Sequence, residues 1–275
     1  MKIINNIQDL QHVLPQNKTI GFVPTMGALH KGHLSLIEQS VQNNDITVVS
    51  IFVNPTQFLI NEDLSKYPRP ELSDKKICEL AKVDYLFMPD INAMYCKDEI
   101  VLKAPKIKGF ILEGERRAGH FDGMLQIVLK LINLVNPTNS YFGKKDAQQL
   151  YLIEQMKQNF YLKTNIIPCE IIREDSGLAM SSRNIYLSED EKQASILISS
   201  SLNEASKLIK TYELDTNKII NTISKYPHQS NLINIEYIYI VNKNFDTIKS
   251  IEIRNSIILI AVKIGNTRLI DNIWI

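Results

Sequence analysis

Cysteine is scarce in this sequence, which argues against a small fold held together by disulfide bonds. The 275 residues include Cys78, Cys96 and Cys169, an odd number at wide spacings. Neither a zinc-binding pattern nor a disulfide framework has such spacings. We therefore expect free thiols of the core or surface, in a reducing compartment.

Long apolar runs and an excess of one charge are also missing. No apolar stretch reaches the length of a membrane-spanning helix, and the first residues lack the apolar core and cleavage site of a secretory signal. The net charge is +1 at pH 7, so we expect no general attraction to nucleic acid or to an anionic membrane. These features predict a cytoplasmic protein in which any anion binding is local.

The composition does allow a large buried core. Apolar residues make up 44% of the chain and charged residues 22%, which is typical of globular proteins. A chain of this length suits one large domain or two modest ones.

Residues 21–36 are the most informative stretch of the chain. An apolar run over residues 19–23 predicts a buried strand, and Pro24 should end it because proline cannot continue a central strand. Gly27 and Gly32 follow, and apolar residues at helical spacing then begin a helix. A strand, a glycine-containing turn and a helix form a unit that attracts anions, because free N–H groups and the helix dipole point at the turn.

His30 and His33 lie three residues apart in this stretch. On a first helical turn both imidazoles would face the same side. Beside an anion site they could hydrogen-bond the charge that develops on a departing polyphosphate. The same spacing also occurs in helix caps and zinc-binding pairs, but the position directly after the first strand favours a nucleotide site.

A second buried strand is predicted over residues 46–53, and Asn54 and Gln57 follow it. The carboxyl ends of strands in an open α/β sheet face the ligand crevice, so these amides are candidate substrate contacts. An ordinary Asn-Pro turn is the alternative interpretation.

Helices and strands are predicted to continue to residue 172. The predicted helices cover residues 73–82, 123–136 and a segment ending at 156, with Ser73, Asp122 and Asp146 as their caps. The predicted strands cover residues 85–88, 100–103, 139–142 and 165–172, and Pro168 favours an edge position for the last. Residues 61–69 predict a polar loop, and the charged residues 113–123 are either solvated surface or a loop facing the site.

Two later groups of residues are candidates for phosphate binding. Lys144 and Lys145 lie beside the start of a predicted helix, where a lysine is either a phosphate clamp or a solvated side chain. Ser181, Ser182 and Arg183 combine small hydroxyls with a guanidinium group, which suits phosphate binding in a mobile loop. The alternative for the second group is a serine-rich linker.

The organisation changes near residue 176. Ser188 and Glu191 form a capping-box pattern that opens a helix to about residue 210. A helix over residues 216–224 and strands over residues 235–241, 256–262 and 268–274 follow. Alternation of apolar and polar residues in the first of these strands indicates a half-buried antiparallel sheet. We therefore predict a smaller α+β domain, in which Trp274 is a packing anchor.

The run Pro-Thr-Met-Gly-Ala-Leu-His-Lys-Gly-His over residues 24–33 resembles the signature of the pantothenate synthetase (pantoate–beta-alanine ligase) family, within the nucleotidyltransferase superfamily that carries an HxGH motif. The resemblance extends over most of residues 1–190 in five blocks that keep the family's order. The blocks cover residues 24–36, 50–58, 117–130, 142–150 and 177–184.

The resemblance implies an α/β fold with a Rossmann-like parallel-sheet domain, residues 1–175, that binds nucleotide and pantoate. The smaller C-terminal α+β domain, residues 176–275, would close over the site. The implied reaction is the condensation of (R)-pantoate with beta-alanine, in which ATP and Mg2+ are used and AMP and pyrophosphate are released. A homodimer is implied, with no nucleic-acid or membrane partner.

Site residues carry over from the family motifs to matching positions. The implied catalytic residues are His33 as general acid, His30, Lys145 and Arg183. Gln57 would contact pantoate and beta-alanine, and Gln149 would contact pantoate. The ligands of Mg2+ do not follow from the resemblance. The implied ATP-binding residues are Met26, Gly27, Ala28, Leu29, His30, Lys31, Gly32, His33, Gly143, Lys144, Lys145, Asp146, Ile172, Met180, Ser181, Ser182 and Arg183.

The chain departs from the family pattern at three positions. Ala118 stands where the family commonly has proline, and Lys144 where glutamate is common. Ser176 stands where aspartate usually precedes Gly-Leu-Ala, which removes a charge beside the closing loop. Two other functions use similar residues: a nucleotidyltransferase that stops at the nucleotidylated product, and an RNA-binding module. The near-neutral charge argues against the second.

Overall fold

The computed structural model describes residues 1–59, 62 and 64–275 and divides into two compact units. The first unit comprises Met1–Lys144 and Gln148–Glu170, and the second comprises Lys145–Ala147 and Ile171–Ile275. The sequence-based ranges 1–175 and 176–275 remain a prediction about domains. Of the predicted loop over residues 61–69, residues 61 and 63 lie outside the described part, as does residue 60.

The first unit alternates strands and helices. Its strands are β1 (Lys2–Ile4), β2 (Ile20–Thr25), β3 (Ile46–Ile51), β4 (Tyr85–Phe87), β5 (Asn139–Gly143) and β6 (Asn165–Cys169). Its helices are α1 (Ile7–Val13), α2 (Lys31–Asn43), α3 (Glu71–Leu80), α4 (Ile91–Met94), α5 (Glu113–Arg116), α6 (His120–Val135) and α7 (Ala147–Asn159), the last beginning in the second unit's short segment. Short 3-10 turns cover Pro55–Gln57 and Lys144–Asp146, and in the latter Lys145 and Asp146 belong to the second unit.

The strands of the first unit form a parallel sheet in the order β1-β4-β3-β2-β5-β6. From β2 the chain builds outward through β3 to β4, then returns to the other side of β2 for β5 and β6. The topological switch point therefore lies between β2 and β5. Ligands of open α/β sheets bind outside the carboxyl ends of the strands at such a point.

Burial explains why these segments form strands and helices. β2 and β3 are buried along nearly their whole length, as expected for parallel strands covered on both faces. In α6 the buried side chains recur at the predicted helical spacing, which packs one face of the helix against the core. The α/β fold predicted for this half of the chain is confirmed.

Pro24 does not end the first central strand, contrary to the sequence-based prediction. It lies within β2 and pairs in register with Ser50 of β3. The pairing of β2 with β5 is confined to Gly21 and Phe22. At Pro24, β2 therefore pairs with β3 and not with β5. The N–H that proline lacks is not needed for hydrogen bonding to β5 at this point.

Three further predictions in this unit are wrong, and two of them fail because side chains of α6 bind residues 102–104. α3 begins at Glu71, so Ser73 lies inside it and does not cap it. Residues 100–103 form no strand among the described residues. There the N–H of Leu102 donates to the side chain of Gln126, and both oxygens of Asp122 bind residues 103 and 104 and do not cap α6.

The second unit contains α8 (Glu189–Lys210), α9 (Thr216–Ile223), and the antiparallel strands β7 (Ile233–Asn242), β8 (Ser256–Ile264) and β9 (Thr267–Trp274). Short 3-10 turns cover Ser182–Tyr186 and Pro227–Gln229. The capping box of Ser188 and Glu191 is present at the start of α8. The order of two helices and then an antiparallel sheet confirms the predicted α+β fold, and apolar residues of α8, α9 and the three strands contribute to its core.

The three cysteines are free thiols, as predicted, with Cys78 and Cys169 buried and Cys96 exposed. Burial raises the pKa of the Cys78 thiol to about 12 and that of the Cys169 thiol to about 11. In the described part of the chain, no helix is both long enough and apolar enough to cross a bilayer.

Candidate functional site

The carboxyl ends of β2 and β5 flank the switch point of the first unit. Met26 follows β2 directly, and the Gly143 to Lys144 step ends β5. Two of the sequence blocks singled out for nucleotide binding thus continue from the two strands where an open α/β sheet accepts its ligand.

The turn between β2 and α2 has an unusual backbone. Gly27 has a φ of 83° and Ala28 a φ of 51°, so both are left-handed, a conformation that costs an alanine about 1 kcal/mol or more. Protein acceptors bind the N–H groups of this turn. Gly27 donates to the hydroxyl of Thr25 at 3.2 Å, and Ala28 and Leu29 donate to the carboxylate of Asp74 at 2.9 and 2.8 Å.

The two histidines form a reciprocal cap at the start of α2. The sequence suggested that both histidines lie on the first helical turn. In the structure His30 is the N-cap residue, just before that turn, and His33 is the third helical residue. The N–H of Gly32 donates to Nδ1 of His30 at 3.1 Å, and the N–H of His30 donates to Nδ1 of His33 at 3.3 Å. The ring centroids are 4.0 Å apart, so the prediction that the two imidazoles lie together is confirmed.

This cap fixes where each neutral imidazole carries its proton. A ring nitrogen that accepts a hydrogen bond from an N–H group is unprotonated, so the proton of each neutral ring lies on Nε2. Both His30 and His33 therefore have a donor at Nε2, the ring nitrogen away from the cap.

Gln57 is held at the end of the 3-10 turn that follows β3. Its side chain is buried, donates through Nε2 to Sδ of Met26 at 3.2 Å, and accepts through Oε1 from Asn54 at 3.2 Å. Asn54 is oriented in turn by the hydroxyl of Tyr95, which donates to Asn54 Oδ1 at 2.7 Å, and by its own bond to the carbonyl of Gly123 at 3.0 Å. These bonds identify which end of the Gln57 amide is the oxygen and which is the nitrogen, and they place Gln57 beside Met26.

A buried histidine holds the backbone of the same turn. Nδ1 of His120 lies 2.8 Å from the carbonyl oxygen of Gln57, and Nε2 lies 3.1 Å from Arg117, whose guanidinium group forms an ion pair with Glu62. Arginine is always a donor, so Nε2 accepts and Nδ1–H donates to Gln57. Burial, reinforced by the charge of Arg117, lowers the pKa of His120 to about 4.

The segment after β5 carries two adjacent glutamines with different environments. Gln148 is buried, donates to the carbonyls of Lys108 and Ile111, and accepts from the N–H of Glu113. Gln148 therefore holds the chain before α5. Gln149, the predicted pantoate contact, is only half-buried. Lys144 forms an ion pair with Glu170 in the first unit.

In the second unit, two neighbouring residues of β9 hold candidate ligand-binding segments. Asp271 is buried and accepts two bonds from the guanidinium group of Arg173, at 2.5 and 2.9 Å. Arg173 also donates to the carbonyl of Gly177 at 3.0 Å, which supports the turn before residues 180–183. Asn272 donates to the carbonyl of Lys145 at 2.7 Å, so the backbone of the candidate catalytic lysine is held as well.

The loop that contains residues 180–183 is also closed by short bonds of its own. Met180 donates to the carbonyl of Ile172 at 3.0 Å, and Asn184 donates to Glu174 at 2.7 Å and to the carbonyl of Ala179 at 3.1 Å. Ser176, the departure from the family pattern, accepts from the N–H of Leu178 at 3.4 Å. Its hydroxyl thus has a turn-stabilising contact.

Sequence reasoning missed Asp74, Tyr95 and His120. Asp74 shares the buried face of α3 with Cys78, four residues later, and a carboxylate at that spacing on an apolar face was the available signal. His120 lies in a block that had been noted for a site-facing loop. Tyr95 carried no signal, because its bond to Asn54 joins residues far apart in the chain.

Comparisons with known proteins agree over the full length. The model of the family described as pantoate-beta-alanine ligase matches residues 2–274. The pantothenate synthetase of Aliarcobacter butzleri (strain RM4018) is 52% identical over 276 residues, covering 100% of both chains. The crystal structure of pantothenate synthetase from Thermus thermophilus aligns with a TM-score of 0.96 at 30% identity, covering 100% of this chain and 99% of that one. Pantoate-beta-alanine ligase from Francisella tularensis, complexed with beta-gamma ATP and beta-alanine, aligns with a TM-score of 0.80 at 35% identity, covering 100% and 97%.

Proposed function

Because the chain belongs to the pantoate–beta-alanine ligase family, whose members make pantothenate, we propose that it joins (R)-pantoate to beta-alanine in an ATP-dependent reaction through a pantoyl adenylate. AMP and pyrophosphate are the other products. The observation that carries the proposal is the histidine pair that follows β2 at the topological switch point, each ring with its proton on Nε2.

The chemistry explains why ATP is needed. A carboxylate and an amine do not form an amide at neutral pH unless one carboxylate oxygen becomes part of a good leaving group. Attack of the pantoate carboxylate on the α-phosphorus of ATP forms a mixed anhydride, and the bond to pyrophosphate breaks. The amine of beta-alanine then attacks the acyl carbon, AMP leaves with the carboxylate oxygen, and the amine loses its proton.

We assign the first step to groups that stabilise charge. The Nε2–H donors of His30 and His33 bind the departing pyrophosphate, and Lys145 and Arg183 add positive charge. His33, the general acid implied by the family motif, would act in that role from its protonated form, because a neutral imidazole does not release the Nε2 proton near neutral pH. Phosphoryl and nucleotidyl transfers depend mainly on positioning and electrostatic stabilisation. The backbone N–H groups of residues 27–29 already have protein acceptors. This supports recognition of the ATP phosphates by side chains, and not by these N–H groups, in this part of the turn.

The remaining site residues are assigned by ligand. ATP is bound by residues 26–33, 143–146, 172 and 180–183. Gln57 contacts both pantoate and beta-alanine, and Gln149 contacts pantoate. The binding of beta-gamma ATP and beta-alanine by the Francisella tularensis relative supports the nucleotide and amine sites. Residues 176–275 would close over the bound substrates, which protects the anhydride from water.

Magnesium is proposed to enter with ATP. In the described ranges no group of at least 3 His, Cys, Asp or Glu side chains is placed to hold a metal ion. Mg2+ usually keeps several water ligands and is bound through substrate phosphates with one or two carboxylates, so the phosphates of ATP suit it as the main ligands. The bound ion would neutralise charge on those phosphates. A cytoplasmic location and a homodimer are proposed from the family.

The product assay tests the reaction directly. Incubation with ATP, Mg2+, pantoate and beta-alanine should yield pantothenate, AMP and pyrophosphate in equal amounts. Formation of ADP and phosphate instead would indicate an acyl phosphate and would overturn the assigned roles of His33 and Lys145. Nucleotidylated pantoate that never becomes an amide would indicate a simple nucleotidyltransferase.

Two substitutions of His33 separate its cap from its chemistry. His33→Asn keeps an acceptor at the position of Nδ1 and removes Nε2, whereas His33→Gln keeps a donor near Nε2 and loses the cap. We expect His33→Asn to lower turnover by roughly 10²- to 10³-fold, the usual loss for one transition-state donor, with His33→Gln less affected. Turnover of folded His33→Asn within a few-fold of the parent would remove His33 from the mechanism. His12→Asn, at an exposed position, is the control.

A further inference from the structure

Asp74 is a buried carboxylate in α3 that contacts the turn before α2. Asp74 is only 2% exposed to solvent. Oδ2 accepts from the N–H of Ala28 at 2.9 Å and Oδ1 accepts from the N–H of Leu29 at 2.8 Å. Within the described part of the chain, no lysine or arginine forms an ion pair with it.

Burying a carboxylate without a cation is costly, and hydrogen bonds to the charged group offset that cost. Burial raises the pKa of Asp74, and the bonds from Leu29 and Ala28 oppose the rise. The two N–H groups of the turn therefore replace the water molecules that the carboxylate loses on burial. The turn depends equally on the carboxylate, because both N–H groups point into the protein.

The backbone of the turn shows what these two bonds hold in place. Gly27 and Ala28 are both left-handed, and a Cβ built on Gly27 would lie 3.0 Å from Oδ2 of Asp74. The carboxylate thus packs directly against the turn. His30 follows at once and begins the histidine cap through its N–H bond to His33.

We propose that Asp74 is a positioning residue, which holds the turn at residues 27–29 so that His30 and His33 present Nε2 to the reacting phosphates. This inference rests on the proposed function, because it assumes that the pair acts on ATP. Asp74 itself need not touch substrate. Its effect on catalysis passes through the backbone of the turn.

The test compares turnover and stability in Asp74→Asn and Asp74→Ala. Asn keeps one acceptor oxygen, whereas Ala keeps none, so kcat should fall in the order Asp, Asn, Ala. We expect a loss of about 10- to 100-fold in kcat for Asp74→Asn at saturating ATP, the scale of a small misplacement of catalytic groups. A role confined to folding would lower the melting temperature and leave the turnover of the folded enzyme unchanged.

Asp84→Asn is the control, since its carboxylate also binds a backbone N–H of this unit, at an exposed position. Asp84 accepts from the N–H of Thr47 at 2.8 Å, which lies at the amino end of β3, the edge of the same sheet opposite to the histidines. We expect this variant to keep the parent turnover. An equal loss of kcat in Asp84→Asn, or folded Asp74→Asn with turnover within twofold of the parent, would overturn the positioning role.

Amide hydrogen exchange in the unaltered enzyme provides the second measurement, which holds even if the Asp74 variants do not fold. The amides of Ala28 and Leu29 should be protected, whereas exchange at the rate of an open loop would contradict the inference. The two possible failures differ. A parent enzyme that makes no pantothenate overturns the proposed function, whereas an active parent with an equally active Asp74→Asn overturns the positioning role alone.

Discussion

His120 makes the stability of the protein depend on pH in a predictable direction. The ring is buried between the carbonyl of Gln57 and the guanidinium group of Arg117. Burial and the nearby positive charge both oppose protonation, and they lower the pKa from 6.5 to about 4. The unfolded chain has neither constraint, so its His120 takes up a proton at higher pH than the folded one.

The sign and size follow from this difference. Above pH 6.5 the ring is neutral in both states and the folded state has its full stability. As the pH falls from 6.5 towards 4, only the unfolded chain gains the proton, so the free energy of unfolding decreases. The complete loss below pH 4 is about 3 kcal/mol, and about 2 kcal/mol is lost between pH 7.5 and pH 5.

Urea unfolding at a series of pH values measures this effect in the parent and in His120→Asn. Asn can donate to Gln57 from the position of Nδ1 but does not titrate, so the stability difference between the two proteins should shrink by about 2 kcal/mol from pH 7.5 to pH 5. Glu62, whose pKa is lowered because bonds from Arg117 outweigh burial, is present in both proteins. A constant difference across this range would refute the reasoning. Exposed His12, replaced by asparagine, should show no comparable change.

Four further substitutions test other parts of the site. Lys145→Ala should impair adenylate formation far more than the use of preformed pantoyl adenylate, and equal losses in the two half-reaction assays would contradict its phosphate role. Gln149→Ala should raise the KM for pantoate, whereas Gln148→Ala should mainly lower the free energy of unfolding, and the reverse result would exchange their roles. Gly123→Ala would bring a Cβ to 2.3 Å from the carbonyl oxygen of Thr56, so we expect a loss of about 1–3 kcal/mol in urea unfolding and weaker use of beta-alanine. Unchanged stability would mean that the 3-10 turn at Pro55–Gln57 can shift to make room for the methyl group without a cost in free energy.

Local signals in the sequence were sufficient for most of the fold. The apolar run of β3 and the capping box at Ser188 depend on neighbouring residues alone, and both predictions are confirmed. Pro24 was misinterpreted because its effect depends on which strands pair beside it. Residues 100–103 look strand-like in isolation, but side chains of α6 bind the N–H groups of Leu102 and of the next residue but one, Ala104. Tertiary partners of this kind leave no local pattern.

In the candidate site, as in the fold, local sequence patterns identified some residues and missed those that act through tertiary contacts. His30, His33 and Gln57 could be selected because they follow predicted strands in recognisable motifs, and their ligand roles remain predictions. The groups that orient them could not be selected. Asp74 acts on a turn 45 residues earlier in the chain, and Tyr95 acts on Asn54 across a similar separation. Such contacts follow from the packing of the sheet and not from any spacing in the sequence.

Exchange of labelled pyrophosphate into ATP tests the central claim most directly. If a pantoyl adenylate forms first, the enzyme should catalyse exchange with pantoate and Mg2+ present and beta-alanine absent, because the first step needs no amine. Omission of pantoate should abolish exchange, and later addition of beta-alanine should convert the intermediate to pantothenate with one AMP released per amide. Exchange that requires beta-alanine, or its absence in an enzyme that makes pantothenate, would contradict the adenylate mechanism.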